Sequence, residues 1–190
     1  MGKSVLITPT LVKKSIMTIE VKVVDPNGDM KSRILQTEIG TLTLVASPQG
    51  LQQIILGAAD DSLDDSNNHE SAKILDQTEE ELTAYLRGDL RDWSISIDLN
   101  DSGTAFQKQV WQALRNIPYG ETRTYKDIAV RIKRPNAVRA IGQANHHNPL
   151  PVVIPCNRVI GQSGKLVGYG GGLPLKQQLL ELEARVLYSP

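Results

Sequence analysis

The sequence predicts two small domains: an α/β first half with a small antiparallel sheet and one helix, then a mainly helical second half holding a helix-turn-helix. Three observations predict it. Before residue 57, short apolar or alternating runs are cut by tight turn signals, as in a strand meander. After Thr104, apolar residues recur three and four apart, the period of a helix with one buried face. The two halves also differ in charge. Residues 1–103 carry nine basic and 17 acidic side chains, net −8, and residues 104–190 carry twelve and four, net +8. The formal total of zero hides this asymmetry, which points to a polyanion surface on the second half.

The first 30 residues read as an extension, with β-rich runs Val5–Val12 and Ile16–Val24 broken by Pro9 and by Asp25-Pro26-Asn27-Gly28. Three strands follow at Arg33–Thr37, Thr41–Ala46 and Leu51–Leu56, separated by Gly40 and by Pro48-Gln49-Gly50. Asp60–Glu70 is acidic and poor in apolar residues, which predicts a loop. Ser71–Arg87 carries Ile74, Leu75, Leu82 and Leu86 as an amphipathic helix ending near Gly88, and Trp93–Leu99 alternates like a strand. Asn100-Asp101-Ser102-Gly103 is a linker, so the expected domains are 31–101 and 102–190 behind the extension 1–30.

In the second half, Thr104–Ile117 aligns Phe106, Val110, Trp111, Leu114 and Ile117 on one stripe. Tyr125–Ile132 is a short helix ended by Lys133-Arg134-Pro135, and Asn136 is the expected cap of the next, in which Val138, Ile141 and Ala144 recur at helical spacing. Two short helices with a tight break form a helix-turn-helix candidate, made more specific by Arg131, Lys133, Arg134 and Arg139. Asn148–Ile160 is bracketed by prolines, which predicts an extended, stiff segment around Cys156. The glycines of Val167–Gly172 permit close backbone approach to a ligand. A last helix from Pro174 has Leu175, Leu179, Leu182 and Val186 inward, and places Glu183 at the buried edge, where a carboxylate needs a partner.

One cysteine excludes an internal disulfide and any multi-cysteine zinc or iron–sulfur cage. There is no run of 18 apolar residues, no secretory signal pattern, and Leu6 stands where a myristoylation motif needs Ser or Thr, so an intracellular protein is expected. A lone intracellular thiol is most often an inert buried group. Rigid placement by prolines, Arg158 two residues on and the glycine-rich segment also suit a nucleophile. A thiol transferase, a cysteine hydrolase and a DNA-binding module with an incidental thiol all fit these pieces.

The run IPCNRVI, with NPLP before it and GYGGGL and LLELE after it, resembles the O6-alkylguanine-DNA alkyltransferases, the methylated-DNA–protein-cysteine methyltransferases. FQKQVWQALRNIPYGETRTY and AVRAIGQAN support the resemblance, which covers about residues 31–187 and is most specific from Phe106 to Glu183. It implies a ribonuclease-H-like α/β domain before a DNA-binding and alkyl-transfer domain. It also implies docking of the second helix in the minor groove of double-stranded DNA, and extrusion of the damaged nucleotide, whose O6 is inaccessible in the stack. The implied catalytic set is Cys156, Asn157, Glu183, Tyr125 and Asn148. Cys156 takes the alkyl group, Tyr125 helps rotate the nucleotide and protonates the departing guanine, and Asn148 braces the turn over the site. Arg139 fills the vacated stack, and Thr124, Ala137, Gln143 and Asn145 complete the DNA-binding set. Tyr125, Val159, Tyr169, Gly170 and Gly171 form the implied substrate pocket. The thioether product is irreversible, so one molecule repairs one base. The chemistry requires no metal or organic cofactor, and the zinc site of some relatives is not expected here. The expected protein is a monomer, without a membrane partner, in the cytoplasm of a prokaryote or the nucleus of a eukaryote.

The chain departs from the family where histidine follows the cysteine: it has Asn157. In the family that histidine links the thiol, through a water, to the glutamate matched by Glu183. An amide cannot accept a net proton near neutral pH. An ordinary thiol of pKa about 8.5 is roughly 3% ionised at pH 7, so full ionisation adds about 30-fold, or roughly 2 kcal/mol. Less basic thiolates are poorer nucleophiles, and burial acts the other way. A slowed transfer is the expectation. His146 and His147 are alternative bases, and the favoured view makes them helix-end residues facing solvent or phosphate. The alternative function is that of the non-catalytic alkyltransferase-like lesion binders, which lack the cysteine; retention of Cys156 argues against it.

Overall fold

The computed structural model of the chain describes residues 28–58, 68–100 and 102–188. The runs Val5–Val12 and Ile16–Val24, residues 60–67 of the acidic stretch, and Asp101 lie outside the described residues. What is described divides into two compact units: residues 28–83 with Ser94–Asp98, and Ala84–Trp93 with 99–188.

In the first unit, β1 (Lys31–Thr37), β2 (Gly40–Ser47) and β3 (Gly50–Leu56) form an antiparallel meander in the order β1-β2-β3. β2 lies in the middle of the sheet, and Leu42, Leu44, Val45 and Ala46 are buried. The register slips between Val45 and Ala46 opposite β3. Helix α1 (His69–Arg87) starts two residues before the expected Ser71, because the Asn68 side chain accepts from the Glu70 and Ser71 amides at 3.0 and 3.1 Å. Gly88, at φ +87, ends it. Arg33 on β1 pairs with Asp76 and Glu79 of α1 at 2.7 and 2.8 Å.

The strand expected over Trp93–Leu99 is reduced to one parallel bridge, Ile97 to Leu51. Glu81 explains why. Its carboxylate takes the Ser94 and Ile95 amides at 2.9 and 3.4 Å, so a side chain holds the donors a ladder needs. At the bridge the backbones are so close that a Cβ on Gly50 would lie 2.7 Å from the Ser96 carbonyl oxygen.

The second unit is mainly helical. Helix α2 (Ala105–Arg115) opens with a capping box between Thr104 and Gln107 and buries Val110, Trp111 and Leu114. The Trp111 indole donates to the Ala144 carbonyl at 2.9 Å, tying α2 to α4. Two residues, β4 (Arg123–Thr124), lead into α3 (Tyr125–Arg131), and Thr124 forms a second capping box with Asp127. After α3, Lys133 takes φ +57, and the Lys133 and Arg134 amides bond to Val130 and Ala129 carbonyls. This left-handed residue makes the tight break before α4 (Val138–His146). Asn136 does not cap α4. Ala137 occupies the N-cap with no side-chain bond, its own amide donating to the Arg134 carbonyl instead. A pairing not anticipated from sequence joins β4 in parallel to β5 (Val159–Ile160). Helix α5 (Gly172–Tyr188) carries Pro174 in its first turn. Among the described residues no helix is long and apolar enough to cross a membrane.

Candidate active site

The proline-bracketed segment is folded back, not extended. The Ile154 amide donates to the Leu150 carbonyl at 2.7 Å, and Val152 is held at φ +76. For a β-branched residue that conformation is strained and persists only where the surroundings impose it. Asn148 imposes it here. Its Nδ2 donates to the Ile154 carbonyl at 2.8 Å, and its Oδ1 accepts from the Leu150 amide at 3.0 Å. The same Nδ2 reaches Cys156 Sγ at 3.1 Å. Cys156 opens a one-turn 3-10 helix, Cys156–Arg158, which runs straight into β5.

The thiol is 5% exposed and borders a cavity of about 60 Å³. Tyr125, Gly142, Asn145, His146, Gly168, Tyr169 and Gly170 complete the lining. Burial pushes the Cys156 thiol above its ordinary value, against the pull of the Asn148 hydrogen bond and the Lys176 ammonium. Tyr125, first residue of α3, donates to the Val167 carbonyl over 3.4 Å, and burial raises its phenol. The Tyr169 hydroxyl is buried without a partner, and burial and then a Cys156 charge hold it well above the ordinary phenol range. Val159 and Gly171 are not among the cavity lining. Val159 is fully buried, its carbonyl taken by Lys176.

Asn157 and Glu183 are both 0% exposed. Asn157 Nδ2 donates to Glu183 Oε1 at 3.0 Å, so the two are directly bonded. Glu183 also accepts from the Tyr85 hydroxyl at 2.6 Å on Oε1, and from Arg158 Nε at 2.8 Å and the Gly120 amide at 2.9 Å on Oε2. The partner demanded by a buried carboxylate is therefore a cluster of four donors, one of them a guanidinium that also donates to the Ile117 carbonyl at 2.7 Å.

Sequence reasoning missed Lys176. It is fully buried and donates to the carbonyls of Val159, Val167 (2.9 Å) and Gly168 (3.3 Å), fastening β5 and the glycine-rich segment to α5. Its burial lowers its ammonium from the ordinary value, partly offset by Cys156. The signal was present: Lys176, Leu179 and Glu183 recur at i, i+3 and i+7 on one helix face. Tyr85 and the Arg158–Glu183 pair had no local signal, since the partners lie 98 and 25 residues apart.

The exposed side of α3 and α4 carries Arg131, Lys133, Arg134 and Arg139, all exposed, with the Arg134 guanidinium 5.5 Å over the Phe106 ring. Gln143 is exposed on α4, Thr124 caps α3 and Ala137 caps α4. Asn145 faces the other way, 9% exposed, with its buried amide lining the thiol cavity. His147 sits at the helix end with Nδ1 2.8 Å from the Gln143 carbonyl. His146 is exposed and also borders the cavity, so it is nearer the thiol than a phosphate-facing residue need be.

Residues 105–185 match the family described as 6-O-methylguanine DNA methyltransferase, DNA binding domain, and residues 30–99 match its ribonuclease-like domain. The methylated-DNA–protein-cysteine methyltransferase of Mycolicibacterium paratuberculosis is 46% identical over 160 residues, 83% of this chain and 93% of the relative. The protein of the same name from Methanosarcina barkeri is 44% identical over 151 residues, 79% of this chain and 94% of its own. Among solved structures, Mycobacterium tuberculosis OGT in complex with DNA superposes with TM-score 0.71 at 40% identity, covering 82% of this chain and 94% of that one. Two domain matches that together span most of the chain, and relatives matched along nearly their whole length, agree with the thiol, its asparagine brace and the basic helix pair: the chain belongs to the 6-O-methylguanine DNA methyltransferase family.

Proposed function

We propose that this chain is a DNA-repair alkyltransferase that binds DNA through α3 and α4 and moves the alkyl group of O6-alkylguanine onto Cys156. The base leaves the stack to reach the thiol cavity. In-line attack by sulfur forms the S–C bond and breaks the C–O6 bond, whose electron pair leaves with guanine. The guanine takes up a proton, with the Tyr125 hydroxyl in the cavity wall as its donor, so the thiol proton lost and the proton gained balance. Sulfur ends as a thioether, and each molecule acts once. Docking in the minor groove of a duplex, with Arg139 filling the vacated position, is the arrangement that suits an exposed basic α4 and a cavity lined by its inner residues. A monomer without a cofactor suffices for this chemistry.

The observation that carries the proposal is Cys156, fixed by Asn148 on a one-turn helix at the edge of a cavity. The non-catalytic alternative is not favoured, because the thiol is retained and relatives similar along nearly their whole length are named as transferases. The test is intact-protein mass after incubation with DNA containing O6-methylguanine. One added methyl, mapped to Cys156, is expected; binding with no change in mass would sink the proposal.

A further inference from the structure

Tyr85 belongs to the Glu183 cluster, yet the transfer chemistry gives it no task. It lies in the last turn of α1 and is 0% exposed. Its hydroxyl and Asn157 Nδ2 share one oxygen, Glu183 Oε1, at 2.6 and 3.0 Å, while Arg158 Nε and the Gly120 amide share Oε2. Each carboxylate oxygen offers about two lone-pair sites, so all four are filled and the carboxylate plane is fixed. A carboxylate only accepts. Asn157 must therefore turn Nδ2 toward it and keep Oδ1, buried without a partner, as the acceptor on the other side of the amide. Asn157 follows the nucleophile within a three-residue turn. Rotation of Glu183 would pass through a single hydrogen bond to the backbone that carries sulfur.

We propose that Tyr85 is a positioning residue for alkyl transfer: its hydroxyl pins Glu183 and, through Asn157, holds the Cys156 turn in the attacking geometry. Burial and the Glu183 charge keep Tyr85 protonated, in the donor form this task requires. The ring has a separate, structural role. It packs 5.3 Å from the Trp93 ring and 5.8 Å from that of Tyr119, centroid to centroid. Removing only the hydroxyl separates the two roles, and Tyr119, whose buried hydroxyl has no partner, supplies the control.

The inference rests on the transfer proposal, so its test includes a measurement that needs no transfer. Single-turnover transfer to Cys156 and DNA affinity are measured for wild type, Y85F, Y119F, N157A and Y85F/N157A. Y85F should slow transfer about tenfold, the scale of losing a hydrogen bond to a charged group that orients a reacting atom, with DNA affinity unchanged. Y119F should match wild type, and the double variant should be no slower than N157A alone. A wild-type rate for Y85F, or losses that multiply in the double variant, would overturn the assignment. Independently, the Asn157 side-chain amide resonance should move in Y85F and stay in Y119F. An unmoved resonance overturns the inference, whereas a moved one beside a wild type that transfers nothing refutes only the transfer proposal.

Discussion

Replacing Asn148 by alanine tests the architecture around the thiol most directly. The side chain makes three bonds, to the Ile154 carbonyl at 2.8 Å, from the Leu150 amide at 3.0 Å and to Cys156 Sγ at 3.1 Å. Leu150 and Ile154 are both 0% exposed, and although the Ile154 carbonyl keeps the Cys156 amide at 2.7 Å, the Leu150 amide loses a partner that water cannot replace. An unsatisfied buried group costs about 1–3 kcal/mol, which is the scale of the loss for this one amide. With the brace gone, nothing holds Val152 at its strained φ +76, so the turn before Cys156 is free to relax out of shape. The chemistry suffers separately. Asn148 pulls the thiol down against burial, so its loss sends the thiol higher and leaves less thiolate at neutral pH. Asn148→Ala should therefore unfold at markedly lower urea and, at a temperature where it is folded, transfer a benzyl group from O6-benzylguanine at least about tenfold more slowly. The pH dependence of thiol alkylation by iodoacetamide should shift upward in parallel. A variant that is destabilised as calculated but transfers at the wild-type rate would refute the claim that the brace also serves the nucleophile.

Three further outcomes follow from the site. Asn157→His, at the position bonded to Glu183 Oε1, should accelerate transfer at pH 7 by about tenfold or more, since full ionisation of even an ordinary thiol adds about 30-fold and burial of Cys156 raises that ceiling; an unchanged single-turnover rate would mean another group already activates sulfur. Arg139→Ala, on the exposed face of α4, should slow repair of duplex DNA far more than reaction with free O6-benzylguanine, and equal losses would remove Arg139 from base extrusion. The folded protein raises the Cys156 thiol, so it retains a proton that the unfolded chain releases, and the stability this gives is full below the ordinary thiol value and lost as pH rises through the folded one. The difference in unfolding free energy between wild type and Cys156→Ser should accordingly shrink above about pH 8.5, and a difference flat to pH 10 would contradict the burial of the thiol.

Local signals carried much of this structure. Turn residues between β1, β2 and β3, and the apolar stripes of α2, α3 and, apart from Val138 (38% exposed), α4, were legible because each is set by a few neighbours in sequence. The misreadings share a cause. Alternation over Trp93–Leu99 is a strand signal, but the Glu81 carboxylate, 13 residues away, takes the Ser94 amide. Prolines around Cys156 favour extension, but Asn148 folds the segment into a turn with Val152 at positive φ. Asn136 is a good cap, yet the left-handed Lys133 sets the chain path so that Ala137 takes that place. At the site, the roles implied by the family resemblance agree with a cavity lined by Cys156 and Tyr125, an Asn148 bond to the thiol and a Glu183 bond to Asn157. Tyr85, Lys176 and the Arg158–Glu183 pairing escaped because long-range burial alone gives them their partners.

Thr124 holds two posts. It pairs with Ile160 as the end of β4 and is the N-cap of α3. The strand that leaves the thiol turn and the helix that begins with Tyr125 are thus locked in register, residue for residue. This predicts how the gene can be edited. One residue inserted between Cys156 and Val159, or between Thr124 and Tyr125, would turn every following side chain to a new face and uncouple the thiol from the tyrosine. The turn at 162–165, exposed and closed by the Gly161 amide on the Lys165 carbonyl at 2.9 Å, lies just past the locked pair. It is the place on this side of the domain where a tag or an inserted peptide should leave the register intact.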